Sequence, residues 1–296
     1  MKYRTLSHHS LITSIALHSD LLCVSDDFSV YVCDASSTTG DLKILSSSLP
    51  GVPATSMSFS PSISSSNPLF IALACVDGEL KIVNVDPDTY SLIPALTVPL
   101  TASRPLIYSL TDLDVSIHSH VAVSSMQGSP FIFDVASSSL LPLPAYSLPP
   151  ATSVAFKPDG KLLLQGHNSG MVTCFDLNLN VLQFSSKVSS SVTDISWYSD
   201  QSFLIADSTG TLSLFDLRNL SLPISALSHD GPFKLCPGPK GIATFGHDNL
   251  FSVYKPSLDV LSSFAFSSVS TFTSNLCCNR NKFYVATGDN ISVVEV

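Results

Sequence analysis

The chain has 296 residues, 45% hydrophobic and only 12% charged, with a formal net charge of −9 and a pI near 5.1. Such a composition excludes a disordered chain. It also excludes a surface built for nucleic acid or anionic lipid, because the 14 basic residues are scattered with no run longer than one.

The length fits one large all-β domain or two average ones. No uninterrupted apolar stretch approaches the ~18 residues of a membrane-spanning helix. The N-terminal "MKYRTLSHHS" lacks the apolar core of a signal peptide. Seven cysteines, an odd number with no C-x-x-C, mostly sit in apolar runs such as "ALACVDG" and "VTCFDL". They read as reduced, buried thiols of a reducing intracellular compartment, cytoplasmic or nuclear.

Taken in chain order, the elements are short and strand-like. "KYRTL" (2–6) is a brief alternating stretch. "ITSIAL" from Ile12, "LLCVSDD" and "FSVYVCD" ending at Asp34 follow as three strands separated by tight turns. The same three-strand phrase returns with "ATSMSF" from Ala54, "FIALACVDG" and "DGELKIVN" ending at Asn84. It returns again with "VAVSSMQG" and "QGSPFIFD" ending at Asp134, then with "ATSVAF" from Ala151, "KLLLQGHNSG" and "SGMVTCFD" ending at Asp176. "VTDISW" from Val192, "FLIADSTG" and "TGTLSLFD" end at Asp216. Weaker copies are "GIATFGHDN" with "DNLFSVYK" ending at Lys255, and "FYVATGDN" with "DNISVVEV" ending at Val296. A fourth strand leads from each ending to the next unit. Apolar residues alternate with small polar ones, chiefly among the 54 serines, as half-buried strands require. No window carries the 3.6-residue spacing of a capped helix.

Successive endings lie 50, 50, 42, 40, 39 and 41 residues apart. A period near 40 with about four strands per unit is the mark of a repeat architecture that stacks small sheets. The two long intervals place insertions at 34–51, 60–68 and 86–105. The Pro-rich stretch 136–150 forms the link into the fourth unit. Such excursions are either partner-binding loops or neutral insertions.

This pattern resembles the WD40 repeat family over the whole chain, most strongly in "ATSVAFKPDGKLLLQGHNSGMVTCFDLN". The terminal dipeptide is Phe133-Asp134, Phe175-Asp176, Phe215-Asp216 and Cys33-Asp34, never Trp-Asp, and the single tryptophan, Trp197, lies in a first strand. The resemblance implies an all-β, seven-bladed β-propeller of four-stranded antiparallel blades, a single domain over 1–296. Its blades end near Asp34, Asn84, Asp134, Asp176, Asp216, Lys255 and Val296, and the N-terminal strand at 2–6 closes the last blade. It implies that His8 and His229 are remnants of the family's Gly-His. The tight-turn aspartate survives as Asp27, Asp77 and Asp248, replaced by Gln127, Ser169 and Thr209 in the third to fifth units.

The chemistry-bearing motifs are few. His118 and His120 form H-x-H in an expected strand, a zinc pair with no third ligand in view. His167 and His247 fall in expected surface turns. Asp26-Asp27 is a turn feature, since adjacent strand residues face opposite ways. There is no G-x-S-x-G, H-E-x-x-H or phosphate-cradling glycine loop. The expectation is a non-enzymatic scaffold with no cofactor and no metal, whose partners are other proteins in a larger assembly. No direct contact with nucleic acid, bilayer or small-molecule substrate is expected. Asp216 and Arg218, in "FDLRN", match the dipeptide-x-Arg by which some WD40 proteins dock on the adaptor of a cullin–RING ubiquitin ligase. The alternative is an arginine that pairs with a carboxylate of its own blade. A third reading, from another class, is an enzyme or ligand binder using the central channel.

Overall fold

The computed structural model describes the chain apart from residues 1, 9, 37–42, 49–50, 62–67, 101–109, 127, 144–147, 232, 247, 267–273 and 280–281. Gln127, His247 and parts of all four excursions therefore lie outside the described residues. No helix long and apolar enough to cross a membrane is present among the described residues.

The chain opens on β1 (Lys2–Ser7). Blade one then runs β2 (Ser14–His18), β3 (Leu21–Ser25), β4 (Val30–Asp34) and β5 (Lys43–Ser48). Blade two is β6 (Ala54–Phe59), β7 (Phe70–Cys75), β8 (Glu79–Val85) and β9 (Leu92–Pro99). Blade three is β10 (Leu110–Val115), β11 (His120–Ser125), β12 (Gly128–Asp134) and β13 (Ser139–Leu141). Blade four is β14 (Ala151–Phe156), β15 (Leu162–His167), β16 (Met171–Asp176) and β17 (Val181–Lys187). Blade five is β18 (Val192–Ser199), β19 (Ser202–Asp207), β20 (Thr211–Asp216) and β21 (Ser225–Ser228). Blade six is β22 (Phe233–Gly238), β23 (Gly241–Gly246), β24 (Leu250–Tyr254) and β25 (Val260–Ala265). Blade seven is β26 (Ser274–Asn279), β27 (Lys282–Thr287) and β28 (Asn290–Glu295), with β1 as its outer strand.

Each blade is an antiparallel meander whose strands neighbour in sequence order. The exception is blade seven, where Lys2 to Ser7 pair with Glu295 to Asn290 and so join the two ends of the chain. The inner strands β2, β6, β10, β14, β18, β22 and β26 touch in succession, and β26 returns to β2. The result is a closed ring of seven blades around a channel, with no unpaired sheet edge where the chain meets itself.

Seven apolar layers fill the seven blade-to-blade interfaces, one each. Second strands are buried after at most a half-buried first residue, and Phe70–Cys75 is buried throughout, so it reads as an unbroken apolar run. Outer strands such as Val181–Lys187 alternate between exposed and half-buried. Close approach of the sheets sets limits on side-chain size: a Cβ at Gly166 would collide with Val192 of the next blade. Trp197 crosses the same boundary and donates its indole N–H to the Ala155 carbonyl at 3.1 Å.

The third strands end at Asp34, Val85, Asp134, Asp176, Asp216, Tyr254 and Glu295. The recurrent aspartate has a local cause. Its Oδ1 accepts the backbone N–H two residues on, from Ser36 (2.9 Å), Ala136 (3.0 Å), Asn178 (2.9 Å) and Arg218 (2.8 Å). The carboxylate thus caps the turn into the outer strand. In blade two that residue is Asp86, which takes the N–H groups of Asp88 and Thr89, rather than Asn84.

Candidate functional site

Two regions hold the groups from which a site could be built: the channel wall and the turns on one face. The channel encloses about 560 Å³ and is lined by inner strands of all seven blades. Its polar lining includes Ser14, Ser56, Asp112, Asp194, Lys234 and Asn275, with the buried Ser153 behind it. The inner edge of each blade has no strand partner, so its N–H groups need acceptors from the neighbouring blade. The aspartates supply them. Asp112 Oδ2 accepts from Ser153 Oγ (2.6 Å) and Val154 N (3.2 Å), while Ser56 Oγ donates to Oδ1 (3.1 Å). Asp194 takes Leu235 N at 2.7 Å and Ser153 Oγ at 3.1 Å, and Lys234 Nζ lies 3.7 Å from it. Asn275 Nδ2 donates to Thr13 O at 2.8 Å and ties blade seven to blade one. Asp112, Asp194 and Asn275 thus latch one blade to the next. Sequence reasoning passed over them; the signal was an aspartate inside an apolar inner strand, in "LTDLDV" and "VTDISW".

Asp114 belongs to the same wall and accepts Phe156 N at 2.8 Å. Burial pushes its carboxyl from 3.8 up to about 7. The folded pKa lies above the unfolded one, so the folded state holds the extra proton and stability falls as pH rises from about 4 to about 7. A dry site would make this shift worth roughly 4 kcal/mol, and contact with channel water reduces the expected effect to roughly 1–2 kcal/mol. Asp114→Asn keeps the acceptor for Phe156 and is expected to flatten that part of the stability–pH curve, read from urea midpoints at pH 5 and pH 8. An unchanged slope refutes the assignment.

On the opposite rim of the blades, three histidines pack against neighbours. His8 Nε2 lies 3.4 Å from Asp26 Oδ2, which also accepts the Tyr31 hydroxyl at 3.1 Å. The tight-turn aspartate of blade one is thus the buried Asp26, which also takes the N–H groups of Phe28 and Ser29, and not Asp27. Asp77 and Asp248 cap their turns as expected, through Glu79 N (3.2 Å) and Leu250 N (2.9 Å). His229 Nε2 meets the Tyr254 hydroxyl at 2.7 Å. His167 is no surface turn residue: it ends β15 fully buried, held between Pro149 O (2.9 Å) and Thr173 Oγ1 (3.1 Å). Its position before Asn168 and Gly170 resembled a turn, but the strand runs one residue further. His118 lies in the turn before β11 rather than on a strand with His120, and the two rings are 6.2 Å apart. Among the described residues no group of three or more His, Cys, Asp or Glu is placed to hold a metal ion.

Asp216 and Arg218 come together. Arg218 Nε donates to Oδ1 (2.9 Å) and Nη2 to Oδ2 (2.5 Å) of Asp216. The arginine hydrogen bonds hold the Asp216 carboxyl down at about 2. The Arg218 side chain is 76% exposed. In the turns after the third strands of blades four and five, Leu179 (66%), Leu222 (71%) and Ile224 (60%) are exposed as well. These apolar side chains have no counterpart among the residues singled out from sequence, because a turn leucine reads the same whether it folds inward or out.

No family model matches the sequence. Over 110 residues the chain is 34% identical to pre-mRNA-processing factor 19 of Dictyostelium discoideum, covering 36% of this chain and 21% of that protein. It thus spans about a fifth of the length of that relative. Among solved structures it is similar to Raptor of Chaetomium thermophilum, with a TM-score of 0.82 at 15% identity over 99% of this chain and 28% of that one. It is similar also to a chain of the COPII outer coat vertex on membranes, with a TM-score of 0.80 at 16% identity over 98% of this chain and 85% of that one. Seven four-stranded blades, the 40-residue period and the strand joining the two ends make this chain a seven-bladed β-propeller, the fold that the resemblance to the WD40 repeat implied.

Proposed function

We propose that residues 1–296 act as one domain and serve as a non-enzymatic scaffold that holds other proteins within a multi-subunit assembly. The observation that carries this reading is the exposure of Leu179, Leu222 and Ile224, together with Arg218, in the turns after the third strands of two successive blades. Large apolar groups held in solvent next to a cation are the ordinary material of an interface core. The channel supports it from the other side, since the aspartates Asp112 and Asp194 on its wall are occupied in latching blades. The COPII chains of similar fold come from a coat assembled on membranes, a setting of protein–protein assembly. A net charge of −9 leaves nucleic acid and bilayer as poor direct partners. The free cysteines support a reducing compartment, cytoplasm or nucleus.

The test is capture of the tagged chain from its own cells at low salt. Stoichiometric protein companions are expected, and Leu222→Asp with Ile224→Asp should lose at least one of them while the fold is retained. Recovery as a lone monomer overturns the reading.

A second reading, a substrate receptor of a cullin–RING ubiquitin ligase, is supported by the exposure of the Arg218 side chain, while its pairing with Asp216 is what the own-blade alternative expects. Arg218→Ala is then expected to abolish adaptor binding in a pull-down. Unchanged binding, or none with the parent chain, dismisses it.

A further inference from the structure

Seven thiols are present, and four of them, Cys23, Cys33, Cys75 and Cys174, are fully buried. The other three lie on the inner strands of blades six and seven and are partly exposed. Cys277 faces the layer between blades seven and one. Cys236 on β22 and Cys278 on β26 face each other, packing into the layer between blades six and seven beside Phe283 and Val285.

We propose that Cys236 and Cys278 form a hydroperoxide-sensitive dithiol that closes into a disulfide across the boundary between blades six and seven.

Three contacts seat the pair. Cys236 and Cys278 stand within interaction reach of each other in that layer. The Cys278 thiol donates to the Pro237 carbonyl at 3.5 Å. It also lies 3.1 Å from the place where a side chain on residue 238 would begin, so its seat exists because that residue is Gly238. The Cys278 sulfur is thereby held over the two residues that follow Cys236 in the chain, on strands packed directly against each other.

The two thiols are unequal. A hydrogen bond between them lowers Cys278 below the usual thiol value, and the same bond, with burial, pushes Cys236 well up. Cys278 is therefore the nucleophile and Cys236 the resolving thiol. The Cys278 thiolate attacks the terminal oxygen of a hydroperoxide. The O–O bond breaks, the alcohol or water leaves, and Cys278 becomes a sulfenic acid. Cys236 then attacks that sulfur; the S–S bond forms, the S–O bond breaks, and water departs with the Cys236 proton. Two thiols lose two electrons, and the peroxide gains them. A thiol reductant reverses the step by exchange.

The readout is mass spectrometry of the whole folded chain, titrated with hydrogen peroxide, alkylated and digested without reduction. A peptide pair joined through Cys236 and Cys278 is expected, removed by dithiothreitol, absent from Cys236→Ser and Cys278→Ser, and retained in Cys277→Ser. Cys236→Ser should instead accumulate Cys278 sulfenic acid, trapped by dimedone. Alkylation near neutral pH should be about tenfold faster at Cys278 than at Cys236. Circular dichroism identical to the parent verifies that the serine variants fold. The proposal is overturned if the joined pair is missing, if it forms only in denaturant, or if Cys277→Ser removes it.

Discussion

Removing residues 1–7 should lower the melting temperature by about 10 °C and leave the chain prone to self-association. The loss has two parts. The six residue pairs from Lys2–Glu295 to Ser7–Asn290 vanish, which strips one edge of β28 of its ladder. Leu6, fully buried in the layer between blades seven and one, leaves its contacts with Ile12 and Ile291. Together these come to roughly 5 kcal/mol, from about 2 for the leucine and about 0.5 for each ladder position. In a chain of this size each kcal/mol moves the melting temperature by roughly 2 °C. The bared edge then offers its N–H and C=O groups to other chains. Size-exclusion chromatography with a thermal melt measures both effects. A truncated protein that stays monomeric and melts within a degree or two of the parent contradicts the closure by β1.

The second large effect lies between blades four and five. Phe203 is 1% exposed and stacks on Phe215 at 5.6 Å and on Phe184 at 6.0 Å, with Trp197 edge-on at 6.1 Å. Phe203→Ala removes the ring that three others touch and opens a cavity no neighbouring blade can fill. A loss of about 3–5 kcal/mol is expected. Phe203→Leu keeps most of the volume and should cost about 1–1.5 kcal/mol. Trp197 is the sole tryptophan, so its emission follows urea unfolding at this interface directly. Equal midpoints for parent and Phe203→Ala would show that this layer carries no such weight.

The ring was legible in the sequence because its causes are local and repeated. Inner, second and outer strands differ in how many faces they bury, so they differ in alternation, and the pattern returns every forty residues. "KYRTL" stood apart as a strand without a unit, and it pairs with β28. The details that escaped depend on contacts made at a distance. Nothing in "SDDFS" says which of two adjacent aspartates turns inward; the choice falls to Asp26 because His8 and Tyr31 converge on it from other strands. His167 looked like a turn residue beside Asn168 and Gly170, and only the Pro149 carbonyl and Thr173 make its burial tolerable. The latch aspartates Asp112, Asp114 and Asp194 bind backbone 41 or 42 positions away, one blade on, where no short motif reaches.

Asp216 and Arg218 show the same limit from the other side. The motif was visible at once, yet its aspartate serves first as a turn cap, as Asp34, Asp134 and Asp176 do without any arginine. What sets blade five apart is the exposed guanidinium with Leu222 and Ile224 close by in the chain.

Native-state hydrogen exchange across blade seven tests the closed ring most directly. Amides of Lys2–Ser7 that face β28 should exchange as slowly as those of β27, since both flank the same strand in one sheet. Fast exchange in β1 alongside slow exchange in β27 and β28 would mean that the two ends do not meet in solution.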